Sequence, residues 1–148
     1  MKTKEVKDKY QKEKSEKWNL RFMNLAEHIS SWSSCSKLKV GSVIVNQNHR
    51  LVSTGINGTL AGLDNRCEDE NGMTKFSSFH SEENNLLECL RQGKSTVGCI
   101  LYCTHFPCPQ CSKLICGAGI THVYYRNDYH NMNGIELFKL AKIKVKKI

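Results

Sequence analysis

At 148 residues with a formal net charge of +8, the chain has the size of one domain able to bury its own core. Its 39% hydrophobic and 24% charged residues fit a soluble globular protein, and no apolar run approaches a membrane span. The lysine-rich start lacks a signal peptide's apolar centre, so a cytoplasmic location is expected, with the eight cysteines serving metal binding or core packing rather than disulfides.

Residues 1–17 hold seven Lys against four acids and read as a basic extension ahead of a domain spanning 18–148. Trp18, Phe22, Leu25, Ile29 and Trp32 recur in steps of four and three, the stripe of an amphipathic helix. Val40 to Val45 reads as a buried strand, with Leu51 to Thr54 as its hairpin partner across the polar turn Asn46–Arg50. Residues 55–79 read as loop, with an acidic cluster at Glu68–Glu70 followed by Asn71-Gly72. A helix is predicted from Ser81 to Gly93, with Leu86, Leu87 and Leu90 on one side. A strand from Cys99 to Cys103 leads to a helix starting near Cys108 and stopping near Gly117 or Gly119. Strand Val123–Tyr125, helix Ile135–Ala141 and strand Ile143–Ile148 complete the chain. Alternating strands and helices predict a layered α/β domain, and the helix between the last two strands allows them to run parallel.

The charge sits at the ends. Residues 139–148 add five Lys and no acid, whereas Trp18 to Phe138 holds ten charges of each sign. A neutral centre with basic ends argues against a nucleic-acid groove built around an active site.

Two stretches carry chemistry: His80-Ser81-Glu82 and Pro107-Cys108-Pro109-Gln110-Cys111. Cys108 and Cys111 lie three apart, on one side of a helix's first turn, and the two prolines favour a helix start there. The positive end of a helix lowers thiol pKa and favours the thiolates that zinc requires. His80, at the start of the preceding helix, supplies an imidazole. Three protein ligands leave a tetrahedral zinc one position for water, the mark of a catalytic site. Glu82 points away from the ligand His80 and is suited to take a proton from that water and return it to a leaving group. Other readings of the C-x-x-C pair are a redox dithiol, or a closed structural zinc with Cys99, Cys103 or Cys116 as fourth ligand.

The pattern H-x-E followed by P-C-x-x-C is that of zinc nucleobase deaminases. From about Leu20 onward the chain resembles the deoxycytidylate (dCMP) deaminase family of the cytidine deaminase superfamily. The resemblance is carried by Val40-Gly41-Ser42-Val43-Ile44-Val45, Ser53-Thr54-Gly55-Ile56-Asn57-Gly58, His80-Ser81-Glu82-Glu83-Asn84, Phe106 to Ile115 and Ala118-Gly119-Ile120. It implies a three-layer α/β/α fold with a five-stranded mixed sheet, and conversion of dCMP to dUMP and ammonia. It further implies a homo-oligomer, often a hexamer, with dCTP and dTTP as regulators and magnesium on the regulatory nucleotide.

By position, the resemblance makes His80, Cys108 and Cys111 zinc ligands and Glu82 the proton shuttle. It makes Asn57, Asn84 and Tyr129 substrate contacts. Some phage-type members hold a second, structural zinc, for which Cys35 and Cys67 are the candidate ligands here, completed by Glu68 or Glu70. This chain departs from the family at Ser81, where alanine is usual, and at Leu60, where proline is usual near the regulatory nucleotide. It departs again at His105, where an apolar residue is common.

Two rival functions use the same zinc motif. One is a polynucleotide base deaminase, acting on tRNA adenosine or cytosine, with the basic ends gripping phosphates. The other is a non-catalytic zinc module for interaction. Within small-molecule chemistry, riboflavin-pathway and free-nucleoside deaminases are neighbours.

Overall fold

The computed structural model describes residues 3–148. In chain order it comprises α1 (Lys4–Ser30), β1 (Gly41–Val45), β2 (Leu51–Ile56), β3 (Gly58–Thr59), β4 (Ser78–Phe79), α2 (Ser81–Arg91), β5 (Ile100–His105), α3 (Pro109–Gly117), β6 (His122–Asn127), α4 (Gly134–Leu140) and β7 (Lys144–Lys147). Five strands form one sheet in the order β2-β1-β5-β6-β7. β1 is antiparallel to β2 and β5, while β5, β6 and β7 run parallel. The expected mixed sheet, with its last two strands parallel, is thus present.

Strand periodicity divides the core in two. Val43, Val45 and Tyr102 face α1 and meet Phe22, Met23, Ala26 and Ile29. Ile44, Leu101 and Val123 face the other way, onto Cys89 of α2, Ile115 of α3 and Phe138 of α4. Helices therefore cover both faces. Gly41 lets α1 approach, since a Cβ there would lie 2.1 Å from the Ala26 carbonyl oxygen.

Four local differences from the sequence reading have physical reasons. The stretch read as an extension is helical from Lys4, continuous with the packed part of α1. Its charges alternate so that Lys4–Asp8, Glu5–Lys9, Lys12–Glu16 and Glu13–Lys17 stand at i,i+4, spacing that supports a solvated helix. Trp32 lies beyond α1 and is exposed, because the buried stripe is Asn19, Phe22, Met23, Ala26 and Ile29. Residues 55–79 are not all loop: β2 continues to Ile56, and β3 pairs with β4 to close the segment's base. In α2 the buried face is polar, with Ser81, Glu82, Asn85 and Cys89 inside and Leu87 and Leu90 exposed.

Candidate metal centre and substrate pocket

The parallel strands β5 and β6 deliver their C-terminal ends to one crevice, the usual place for a ligand in an open α/β sheet. Phe106 and Cys108 follow β5, and Tyr129 and His130 follow β6. Asn57, just past β2, lines the same space. His80 is the N-cap of α2 and Cys108 the N-cap of α3, so two helix starts meet there. Pro109, the first residue of α3, has no N–H to leave unpaired. The Cys111 N–H donates to Cys108 Sγ at 3.4 Å. The His80 N–H donates to Glu83 Oε2 at 2.8 Å, which seats the histidine at the end of α2.

His80 Nδ1 lies 3.4 Å from both Cys108 Sγ and Cys111 Sγ. Tetrahedral zinc with ordinary Zn–N and Zn–S bonds separates such donors by about 3.5 Å, so the donor set fits that ion. Among the described residues this is the one group of three such side chains placed closely enough for a metal. In the protein alone the trio shares protons. The Cys108 thiol is pulled down to about 4 by hydrogen bonds from Cys111 and His80. Cys111 is pushed up by the hydrogen bond with Cys108 and by burial, and His80 is raised to about 9 by its hydrogen bond to Cys108. A bound cation favours thiolate at both sulfurs.

Glu82 is buried beside the trio, and that burial raises its carboxyl to about 7. What holds it is a set of polar contacts between α2 and the sheet. Ser81 Oγ donates to the Gly55 carbonyl oxygen at 2.9 Å and lies 2.8 Å from Ser42 Oγ. Asn85 Nδ2 donates to Ser42 Oγ at 3.0 Å. Gly55 faces the first turn of α2 directly: a Cβ there would lie 2.3 Å from the Ser81 carbonyl oxygen. The serine that departs from the alanine usual in the family thus has a buried hydroxyl partner in Ser42.

His80, Glu82 and Cys108 open onto a cavity of about 310 Å³. That is the low end of the range for small-molecule sites. Tyr129 lies in its wall, its ring 4.1 Å from that of His130, and burial raises its phenol. Asn57 is also in the wall, but its amide is engaged with the backbone: Oδ1 accepts from the Val40 N–H at 2.8 Å and Nδ2 donates to the Leu38 carbonyl at 2.7 Å. Asn84 is elsewhere. It donates to the Ile56 carbonyl at 2.8 Å and lines a separate groove with Glu88, Arg91 and Lys94.

His105 forms part of the cavity wall, with Nδ1 3.0 Å from Thr104 Oγ1 and its pKa lowered by burial. Lys37 and Phe79 line the cavity too, and sequence reading did not single them out. Lys37 sits two residues from Cys35, yet its place in the cavity wall depends on long-range packing that leaves no local signal.

The expectations for Cys35 and Cys67 are corrected. They form a disulfide, against the expected absence of such bonds and in place of a second zinc. Sulfurs bonded to each other have no thiolate to offer a metal. Glu68 turns instead to the Ser36 hydroxyl and the Lys37 N–H. No helix among the described residues is long and apolar enough to cross a membrane.

Comparison with known proteins agrees with this geometry. The sequence profile of the cytidine and deoxycytidylate deaminase zinc-binding region matches residues 16–127. The ComE operon protein 2 of Bacillus subtilis is 37% identical over 136 residues, covering 88% of this chain and 71% of that protein. The deoxycytidylate deaminase of Mycobacterium phage D29 is 33% identical over 122 residues, 73% of this chain and 93% of its own. The crystal structure of the cyanophage S-TIM5 dCMP deaminase, in complex with dCMP and dUMP, superposes with a TM-score of 0.82 at 36% identity, covering 100% of both chains. The profile match spans residues 16–127, a stretch that includes all three donors and the buried Glu82, and this chain belongs to the cytidine and deoxycytidylate deaminase family.

Proposed function

We propose that the chain hydrolyses dCMP to dUMP and ammonia, serving the supply of thymidylate precursors. The observation that carries this reading is the triangle of His80 Nδ1, Cys108 Sγ and Cys111 Sγ, flanked by buried Glu82 and open to the cavity. The cyanophage relative binds dCMP and dUMP, and that likeness supports the same substrate here.

His80, Cys108 and Cys111 would hold one zinc ion, which would supply Lewis acidity and an acidified water for hydrolysis at C4 of the cytosine ring. Glu82 accepts a proton at its carboxylate and delivers it to the departing amine. Burial of Glu82 lifts its carboxyl above the ordinary carboxylate range, which favours its keeping the proton between the two transfers. Tyr129 closes over the base, and Lys37, a residue of the cavity wall, offers a cation for the 5′-phosphate. Asn57 fixes the 38–40 backbone on which the sugar rests. Asn84 acts from outside the cavity, by holding the end of β2.

The catalytic domain is taken to begin near Trp18, and the first half of α1 is a solvated appendage. A cytoplasmic location, assembly as a homo-oligomer up to a hexamer, and control by dCTP and dTTP with magnesium belong to the same reading and rest on the family resemblance. Ammonia release from dCMP, dCTP, deoxycytidine, CMP and single-stranded DNA, with and without dCTP and dTTP, tests it. Preference for dCMP is expected. Preference for single-stranded DNA, or turnover confined to free nucleosides, refutes the assignment.

A further inference from the structure

Between Asn57 and His80 the chain makes a long excursion over the cavity, and in that stretch Cys67 is the one buried residue. Leu60, Leu63, Met73 and Phe76 are all exposed there. Apolar packing therefore does little to hold the excursion down. Its internal order gathers around Cys67, whose carbonyl accepts from the Lys75 N–H at 2.8 Å and from Ser78 Oγ at 2.9 Å. Its attachment to the rest of the molecule is to segment 33–37. Ser34 Oγ donates to the Asn65 carbonyl, Ser36 Oγ and the Lys37 N–H to the Glu68 carboxylate, and Cys35 is bonded to Cys67. The hydrogen bonds at this seam are largely exposed to water, so the covalent link is the strong one. Both cysteines, with Glu68, Thr74 and Ser78, form cavity wall.

We propose that Cys35–Cys67 is a reversible thiol–disulfide clasp on the substrate cavity, closed when oxidised and loosened by a low-molecular-weight dithiol. A thiolate of the dithiol attacks one sulfur, the Cys35–Cys67 bond breaks, and the other sulfur leaves as a thiolate that takes a proton. The reagent's second thiol then displaces the mixed disulfide. Two protein thiols and one oxidised reagent result, with two electrons and two protons transferred to the protein. Both residues are otherwise buried, at 4% and 1% exposed, so the reagent's way in is the cavity itself. A nucleotide in the cavity then shields the bond. Loosening the wall weakens nucleotide binding more than it slows chemistry, because Glu82 and Cys111 lie within α2 and α3, Cys108 caps α3, and His80 caps α2 with its N–H held by Glu83.

The clasp rests on the reading of this cavity as the dCMP site, and the experiment separates the two. The zinc-loaded full-length protein is assayed before and after treatment with a water-soluble phosphine, which reduces the bond without the zinc chelation of a dithiol. Alkylation counts free thiols and metal analysis counts zinc. The oxidised protein should show two fewer reactive cysteines than the reduced, with one zinc per chain in both. Reduction should raise KM for dCMP about fivefold, as if one reduced molecule in five held the wall closed, with kcat moving far less. Saturating dUMP should slow the appearance of the two thiols. Cys35→Ser and Cys67→Ser should have the reduced protein's KM and no response to phosphine; if they fail to fold, the two redox forms of the unaltered protein decide. Equal KM in both forms overturns the clasp, as does a second zinc per chain after reduction. Absence of dCMP turnover in either form overturns the assignment of substrate instead.

Discussion

Replacing Gly55 by alanine tests the link between the sheet and the chemistry. A Cβ at this position would lie 2.3 Å from the Ser81 carbonyl oxygen and 2.7 Å from Asn85 Cβ. Ordinary contact begins near 3.5 Å, so the first turn of α2 must retreat by about 1 Å. His80 precedes that turn and Glu82 is in it, so both move while Cys108 and Cys111, on α3, stay. Overpacking of this kind lowers stability by about 1–3 kcal/mol. A displacement of about 1 Å between reacting groups reduces turnover by about 100-fold. Chemical denaturation, zinc content and steady-state kinetics with dCMP measure the three effects on one preparation. A Gly55→Ala protein with unaltered unfolding midpoint and unaltered kcat would refute the argument that this close approach sets the position of His80 and Glu82.

Other substitutions probe single groups. Glu82→Gln keeps the shape but removes the proton acceptor, so kcat for dCMP should fall by about 10²–10⁴ while zinc content stays at one per chain; retained turnover would remove Glu82 from the reaction. Lys37→Ala should raise KM for dCMP about 10–100-fold and leave deoxycytidine kinetics unmoved, since the lost contact is charge-assisted and specific to the phosphate. Phe138→Ala empties a fully buried site whose ring meets Phe106 edge-on at 6.0 Å, and should lower stability by about 3–5 kcal/mol in equilibrium unfolding. A smaller loss would mean that the core beneath Phe106 collapses to fill the space.

The metal triangle was legible because its signals are local. Cys108 and Cys111 are one turn apart, Pro107 and Pro109 mark a helix start, and His80 precedes a helix of its own. The sheet was legible for the same reason, since runs such as Val43 to Val45 announce buried strands and the spacing around Ile135 to Ala141 leaves room for a parallel crossover. Features set by distant partners were not legible. The polar buried face of α2 has meaning only opposite Ser42 and Gly55, and nothing near Ser81 announces either. Asn84 carries the right residue type for a substrate contact, but the helical turn aims it at Ile56, outside the cavity. Cys35 and Cys67 stand 32 residues apart, and their pairing follows from how the excursion folds over the cavity. Residues 4–17 lack an apolar stripe, so their helix rests on charge spacing that hydrophobic periodicity does not register.

The most direct test of the account is zinc content measured alongside ammonia release from dCMP as a chelator strips the protein and zinc is restored. One zinc per chain, with activity lost in proportion to its removal and recovered on its return, is the predicted result. A purified protein that converts dCMP to dUMP at full rate without bound metal would contradict it.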